Sequence, residues 1–418
     1  MTRSVFLSLL FIVSQASAQV ASSINLTYAR ESNVLGNYAE IPDDYLSADF
    51  YLDDFTGWDY SSLDVSYDGT LSSYNSFPEQ DNWVHNFAAE YRIQLTRPDA
   101  DSVPAEDSDQ SGGSDSLQTF LTLGGLITRT LPHSGEFQLY QNFVSGGSAF
   151  LRLPVGRSAV LRFGYVVNYT GFDFLPPLSS LKNVGSVNFS VPAGSGATIY
   201  VGGGLGNEMY YGVDTSGTGV QKLIKMHGNS GYKGKGKGGA PNPTTSSSTF
   251  LLTSPSVTQL TYGGGAVIVS GRWSADAAIM FSSNLTGDAR YIDAVARFAG
   301  EASAVYDDPY SYHGGELKLA GKKDSLINAV NVALEFTGAV KNYARPAYDY
   351  TQTIELADHR RDRYSRTSVT LSRVFRVSGF SNDFTLSLTY SHLSNSSNDQ
   401  YYNFFDDIFA ASLTVNLL

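Results

Sequence analysis

The chain contains no cysteine, few charged residues and no long hydrophobic run in its body. The absence of cysteine excludes a disulfide framework, a thiolate metal site, a cysteine nucleophile and a lipidated N-terminal cysteine. Charged residues make up 16% of the chain, against roughly 25% in ordinary soluble domains. With aromatic residues at 13%, this composition argues against a coiled coil, a disordered chain or an enzyme with a charged, soluble surface. The net charge of −12 makes a nucleic-acid partner unexpected.

The first 18 residues have the pattern of a secretory signal. Arg3 precedes an apolar core at 5–13, and Ala16, Ser17 and Ala18 provide a small-x-small cleavage site. The core is too short to cross a bilayer as a helix, which takes about 20 residues. We therefore predict a signal peptide at 1–18, cleaved near Ala18, and a mature chain that starts near Gln19; an uncleaved anchor or a buried helix is the alternative.

Beyond the signal, apolar and polar residues alternate in one short segment after another. In 384–390, Phe, Leu, Leu and Tyr alternate with Thr, Ser and Thr, and in 330–336, Val, Val, Leu and Phe alternate with Asn, Ala and Glu. Period two is typical of a β-strand with chemically different faces. The pattern predicts sixteen strands, at 23–31, 44–55, 61–74, 83–96, 117–130, 135–151, 157–170, 182–192, 197–211, 256–271, 272–283, 311–321, 327–342, 363–377, 382–393 and 407–417.

Long and short links between these strands alternate. The long ones include 32–43, 212–255 and 284–310, whereas most of the others are short turns marked by Gly or Pro. This is the arrangement of bacterial outer-membrane barrels, which have long extracellular loops and short periplasmic turns. The segment 97–116 breaks the rule, because it is long where a short turn is expected. We predict an all-β, transmembrane, antiparallel up-and-down β-barrel of about 16 strands (14 as the alternative), forming one domain over 19–418.

The two faces of the predicted strands carry different residue types. Aromatic residues near strand ends predict membrane-interface girdles, and they are Tyr28, Tyr74, Tyr91, Tyr169, Tyr211, Phe336, Tyr343 and Tyr390. Charged residues on the polar faces predict a water-filled interior, and they are Asp49, Asp53, Asp64, Asp68, Glu90, Arg92, Arg162, Glu316, Lys318 and Glu335. The alternative is a secreted soluble β-sandwich, β-helix or adhesin whose aromatic residues fill a core. Such sheets usually protect their edges with Lys and Glu, which are scarce here.

The C-terminal segments resemble a known family. Arg361-Asp362-Arg363 and the segment with Asn395, Ser397 and Asn398 between Tyr390 and Tyr401 are similar to the last hairpins of surface-lipoprotein-assembly-modifier barrels, and 29–35 resembles their first loop. The resemblance implies an outer-membrane barrel, insertion by the barrel-assembly machinery and a role in lipoprotein delivery. The sequence departs from the family in lacking its helical-repeat domain and in ending with Leu417-Leu418 in place of an aromatic residue.

A few residues have the types that chemistry requires. His392 and Ser394 resemble the His-x-Ser of lipid A deacylases, but the downstream Glu of that family is replaced here by Asp399, Asp406 and Asp407. We expect a polar loop entry at this place and no catalytic residue. The histidines lack ligand spacing, so no metal or other cofactor is expected. Lys233, Lys235 and Lys237 form a basic loop tip that could touch lipopolysaccharide phosphate, or simply a flexible Gly-rich loop.

A sixteen-stranded barrel can enclose an aqueous channel. The sequence therefore predicts a passive outer-membrane pore for small hydrophilic solutes and no enzyme, in contact with outer-membrane lipids and lipopolysaccharide. Seven of the ten predicted lumen charges are acidic and three are basic, which predicts a weak cation preference. A surface-lipoprotein or secretion-type assembly barrel is the first alternative, and an outer-membrane acyl hydrolase is the second.

Overall fold

The computed structural model describes residues 20–34, 40–96, 118–132, 141–156, 158–173, 179–210, 256–286, 312–327, 329–348, 355–377 and 382–417. The predicted signal peptide, the long segment 97–116 and the basic loop 212–255 lie outside the described residues. Helical structure in the described part consists of the 3₁₀ turns Pro78–Gln80 and Gln400–Tyr402. None of the described helices is long and apolar enough to cross a membrane.

Sixteen antiparallel strands form one closed barrel, in which every strand pairs with its neighbours in sequence and β1 pairs with β16. The all-β, sixteen-stranded prediction is confirmed. The strands are β1 Val20–Glu31, β2 Asp43–Trp58, β3 Ser61–Tyr74, β4 Asn82–Gln94, β5 Phe120–Pro132, β6 Asn142–Val155, β7 Ala159–Phe172, β8 Ser180–Pro192, β9 Ala197–Tyr210, β10 Ser256–Ser270, β11 Trp273–Thr286, β12 Tyr312–Ile327, β13 Val330–Tyr348, β14 Glu355–Arg376, β15 Asp383–Ser397 and β16 Phe404–Asn416.

Most predicted strand ends fall close to the observed ones. The largest differences are at the start of β14, at the start of β6, predicted at 135 and observed at Asn142, and at the ends of β12 and β13. The sequence predicts strands at 327–342 and 363–377, whereas the hairpin continues to Tyr348 and begins again at Glu355. Register shifts between Asn342, Pro346 and Tyr348 break the alternation there. The added part of β14 carries the charges of Arg360, Arg361 and Asp362, which a search for apolar alternation reads as a loop.

The pleat sends the apolar rows to the outside of the barrel. Leu26 pairs with Leu413 and Tyr28 with Ala411 across the β1–β16 seam, and these rows are exposed, with Tyr28 at 53%. The row predicted from 384–390 follows the same rule, since Leu386 and Leu388 lie opposite Leu413 and Ala411. A closed wall therefore presents an apolar exterior, and its intervening polar positions face the interior.

Outward aromatic rings pair near both ends of this exterior. Phe375 stacks on Phe384 at the end with the short turns, with ring centroids 5.7 Å apart. Tyr390 packs on Phe409 towards the opposite end, with centroids 4.7 Å apart. Five of the eight predicted girdle residues share this outward side, namely Tyr28, Tyr91, Tyr169, Phe336 and Tyr390.

The prediction of an outward position is wrong for two of the eight girdle residues. Tyr74 pairs with Tyr45 and falls on the same side of β3 as Asp64, which is the inner side. Tyr343 is 4% exposed and packs under the guanidinium of Arg360, 4.2 Å from its ring centroid. Both residues lie where strands extend beyond the apolar band, and their aromatic rings serve interior packing there. Tyr211 lies outside the described residues.

The β8–β9 turn requires glycine at one position. Gly196 has a φ of +81°, and a Cβ built there would lie 2.1 Å from the backbone oxygen of Val269 on β10. The turn is held against that strand, because the Val269 N–H donates to the Gly196 carbonyl at 2.7 Å. Only glycine combines this backbone conformation with this close approach.

Candidate functional site

The charged inner wall is the candidate functional site. The strand register places all ten of the sequence-predicted charged residues on the inner side. They do not form one cluster, since they divide into an acidic arc, a basic arc and a mixed group on the other side of the barrel.

The acidic arc comprises Asp49 and Asp53 on β2, Asp64 and Asp68 on β3, and Glu90 on β4. Asp64 lies directly opposite Glu90 in the β3–β4 register. Asn25 of β1 holds Asp49 by donating from Nδ2 to its Oδ2 at 2.9 Å. One oxygen of Asp53 is buried without a hydrogen-bond partner. Several carboxylates on adjacent strands create a negative potential that attracts cations.

The basic arc begins where the acidic arc ends. Arg92 lies over the ring of Phe120, with its guanidinium carbon 3.7 Å from the centroid, and Arg152 approaches the same ring at 5.8 Å. Arg152 and Arg162 are directly opposite each other in the β6–β7 register. These residues line a recess of about 450 Å³ in the wall, together with Glu90, Thr122, Phe150, Val160 and Ser190. Acidic and basic surfaces are thus adjacent on one wall.

The mixed group lies on the strands from β9 to β13. Lys318 Nζ lies 2.7 Å from Glu316 Oε1, two positions away on the same face of β12. Tyr200 on β9 donates to Asp276 on β11 at 3.3 Å. Glu335 follows on the inner side of β13, where it pairs with Ala320. This part of the wall therefore carries both signs.

Sequence reasoning missed several inward charges on this wall, and they are Arg152, Lys182, Glu208, Asp276, Lys322, Lys341 and Arg366. The predicted strand stops at 151, which put Arg152 into a turn, whereas β6 continues to Val155. Continuing the period-two pattern from Phe150 by two residues would have placed Arg152 on the same inner face. Asp276 lies between Ala275 and Ala277, where small residues blur the contrast between the two faces.

A buried polar cluster lies inside the end of the barrel that carries the long loops. Arg360 and Asp362 are 1% and 2% exposed, and Arg360 Nε donates to Asp362 Oδ1 at 3.0 Å. The Arg360 guanidinium lies between the rings of Tyr343 and Tyr402, at 4.2 and 3.4 Å from their centroids. Ser397 donates from Oγ to Asp362 Oδ1 at 2.7 Å.

The two sequence segments that carry the family resemblance meet at this cluster. Asn398 accepts from the Arg361 N–H at 2.6 Å and donates to the His359 carbonyl at 2.9 Å. Asn395 donates to the Tyr402 carbonyl at 2.6 Å. These contacts fix the link between β15 and β16 against β14, so the motif residues have a direct structural role.

His392 faces outward, beside the Tyr390–Phe409 pair. Its Nδ1 lies 2.8 Å from Asp407 Oδ1, and Tyr390 donates to the same oxygen at 2.8 Å. Asp407 is therefore the carboxylate partner of His392, a role for which the sequence offered Asp399, Asp406 and Asp407. No hydrogen bond joins His392 to Ser394 in the described structure, so the pair required to activate a serine is not formed there.

The predicted basic loop tip, Lys233, Lys235 and Lys237, lies outside the described residues. Within the described ranges, no three His, Asp or Glu side chains are grouped so as to hold a metal ion.

The closed wall defines a class of fold, the antiparallel sixteen-stranded β-barrel. No protein-family model and no curated protein matches the chain. Among solved structures, the chain is similar to OccK5 (OpdH) of Pseudomonas aeruginosa, with 10% identity, a TM-score of 0.44, and coverage of 96% of this chain and 99% of that one. It is also similar to the outer membrane protein opdK of the same organism, with 8% identity, a TM-score of 0.44, and coverage of 95% and 99%. A third is P. aeruginosa OccK2 (OpdF), solved in complex with glucuronate, with 10% identity, a TM-score of 0.40, and coverage of 96% and 98%.

Proposed function

We propose that the chain is a passive pore of the bacterial outer membrane for small hydrophilic solutes, with a weak preference for cations. The observation that carries this proposal is the division of the wall into two chemical faces. Exposed apolar rows such as Leu386 and Leu388 face outward, whereas the ten charged candidates face inward. A charge on the lipid side near the bilayer centre would cost about 2–4 kcal/mol, so this division suits a wall between lipid and water.

The cation preference is argued from the charges on the inner wall. The acidic arc of β2 to β4 concentrates five carboxylates on three adjacent strands of the inner wall. Fixed carboxylates raise the local concentration of cations and oppose the entry of anions. The basic arc beside it keeps the preference weak.

Planar-bilayer recording tests the pore. The purified, folded chain should give discrete conductance steps, and a salt gradient should give a reversal potential of the sign set by cation permeation. Protein that inserts into the bilayer without conductance steps would refute the pore. Steps with anion preference would refute the charge argument alone.

The proposal includes the cellular setting that the sequence predicts. The signal at 1–18 exports the chain, the barrel-assembly machinery inserts it, and the long loops face the outside. Outer-membrane lipids surround the apolar rows, and Lys233, Lys235 and Lys237 contact lipopolysaccharide phosphate from the longest loop. Outer-membrane fractionation with a heat-modifiability gel tests this setting, because a folded barrel resists SDS until it is boiled. A chain recovered from the medium without detergent would refute it.

A surface-lipoprotein assembly barrel is the second candidate, supported by the contact between the two motif segments that resemble that family. Asn398 on the β15–β16 link bonds the backbone of β14 at Arg361. Deletion of the gene would then leave a co-dependent lipoprotein absent from the cell surface. Normal surface display of lipoproteins after deletion would exclude this candidate and leave the pore untouched.

A further inference from the structure

The charged run from Arg360 to Arg363 divides between the two sides of the wall. Alternation along β14 turns Arg360 and Asp362 inward, where both are buried, and turns Arg361 and Arg363 outward, where both are exposed. The inner pair is accounted for by the cluster with Tyr343 and Tyr402. The outward side chains of Arg361 and Arg363 do not line the pore.

The surroundings of the outer arginines are polar on the side of β15, whereas on the side of β13 the exposed Val340 lies opposite Arg363. The outward positions of β14 from 361 to 367 carry Arg, Arg, Ser and Thr, and those of β15 from 392 to 396 carry His, Ser and Ser. These register-paired positions, which we call the outer polar panel, contain no carboxylate. Asp407, which faces outward on the next strand β16, is engaged by His392 and Tyr390. The panel therefore presents two cations and several hydroxyl groups on one surface.

The height of the two arginines places them above the hydrocarbon. Phe375 marks the aromatic level at the end with the short turns, and Arg363 and Arg361 lie twelve and fourteen residues farther along β14. Twelve residues of strand span about 40 Å, or roughly 30 Å of height at a tilt of about 40°, which exceeds an apolar band of about 25 Å. On the side that bears the long loops, this height is that of the sugar-phosphate region of an outer-leaflet glycolipid.

We infer that the outer polar panel is a docking surface for the phosphorylated sugar region of lipopolysaccharide, with Arg361 and Arg363 as the phosphate ligands. Guanidinium groups bind phosphate through two parallel hydrogen bonds, and hydroxyl groups of the panel suit the neighbouring sugars. The support is rigid, because the Arg361 N–H is bound to Asn398 and the flanking Arg360 and Asp362 are buried. This inference rests on the proposed outer-membrane location, and it concerns the outside of the barrel and not its lumen.

Native mass spectrometry of the whole, folded chain with defined lipopolysaccharide tests the inference. The double variant Arg361→Gln/Arg363→Gln should bind lipopolysaccharide at least tenfold more weakly than the unaltered chain. Arg373→Gln is the matched control, because Arg373 faces outward on the same strand near the opposite end and should leave binding unchanged. Chemically dephosphorylated lipopolysaccharide should bind as weakly to the unaltered chain as intact lipopolysaccharide binds to the double variant.

Equal binding by the double variant and the unaltered chain would overturn the inference, as would full binding of dephosphorylated lipopolysaccharide. Stronger retention of phosphatidylglycerol vesicles than of lipopolysaccharide would also overturn it. A heat-modifiability gel and conductance recording on the same preparations keep the two proposals apart. Folded, conducting protein with unaltered lipopolysaccharide binding refutes the panel alone, and folded protein without conductance refutes the pore alone.

Discussion

Arg360 and Asp362, two residues apart on β14, form an ion pair that is almost completely removed from solvent, at 1% and 2% exposure. The pair is held by two tyrosine rings and by Ser397, so its members are fixed in direction as well as in charge. It ties the β15–β16 link to the wall at the end of the barrel that carries the long loops.

Removing one member of this pair should destabilise the barrel strongly. Asp362→Asn removes a carboxylate that is bound to the buried Arg360 guanidinium, and breaking a buried ion pair costs about 3–5 kcal/mol. The change should appear as a lower denaturant midpoint for unfolding from detergent micelles. Lys322→Gln is the control, because the Lys322–Asp324 pair is about half exposed and is worth about 0–1 kcal/mol. Equal midpoints for the two variants would contradict the role assigned to the buried pair.

Gly196 should be the glycine of the short turns that is least tolerant of substitution. Gly196→Ala incurs the cost of a positive φ, about 1–2 kcal/mol, and also an overlap with the Val269 backbone oxygen. Gly271→Ala separates the two effects, since Gly271 has a φ of +57° and no heavy atom within 4 Å of its built Cβ. On a heat-modifiability gel, Gly196→Ala should give a clearly smaller folded fraction than Gly271→Ala. The reverse order would show that the close approach to β10 is not maintained.

Neighbouring aspartates on β2 should differ in their effect on ion selectivity. Asp53 faces the interior within the acidic arc, whereas Asp54 faces outward opposite Val65. Asp53→Asn should lower the cation-to-anion permeability ratio, because it removes a fixed carboxylate from the permeation path. Asp54→Asn should leave the ratio unchanged. Reversal potentials in a KCl gradient measure both, and a larger effect of Asp54→Asn would contradict the assignment of faces.

The fluorescence of the three tryptophans should show directly whether their side chains contact lipid. Trp58, Trp83 and Trp273 all face outward, with exposures of 55%, 38% and 56%. In vesicles of brominated lipid, their fluorescence should be strongly quenched, while iodide in the aqueous phase should quench it little. Strong iodide quenching with little effect of brominated lipid would place these side chains in water.

Period-two alternation was sufficient to predict the strand number and the faces, because both follow from the local pleat and from the contrast between lipid and water. The rows around Leu386 and Glu335 show this, since each side chain faces the expected side. The pattern fails where strands pass beyond the apolar band, as at Arg360 on β14 and Tyr343 on β13. There the wall has water on both sides, so residue polarity no longer distinguishes the faces.

Side-chain contacts between segments that are distant in sequence could not be predicted either. The choice of Asp407 among three aspartates as the partner of His392 depends on the β15–β16 register. The stacking of Arg92 and Arg152 on Phe120 joins three strands. Each of these contacts is set by strand pairing, which composition and spacing do not specify.

Single-cysteine labelling along β15 tests the central claim, that one face of each strand meets lipid and the other meets water. The natural chain has no cysteine, so Leu386→Cys, Ser387→Cys, Leu388→Cys and Thr389→Cys each introduce one thiol. In reconstituted vesicles, a membrane-impermeant charged maleimide small enough to enter the barrel should label the cysteines at 387 and 389 and spare those at 386 and 388. Labelling of all four positions, or of 386 and 388 alone, would contradict the account.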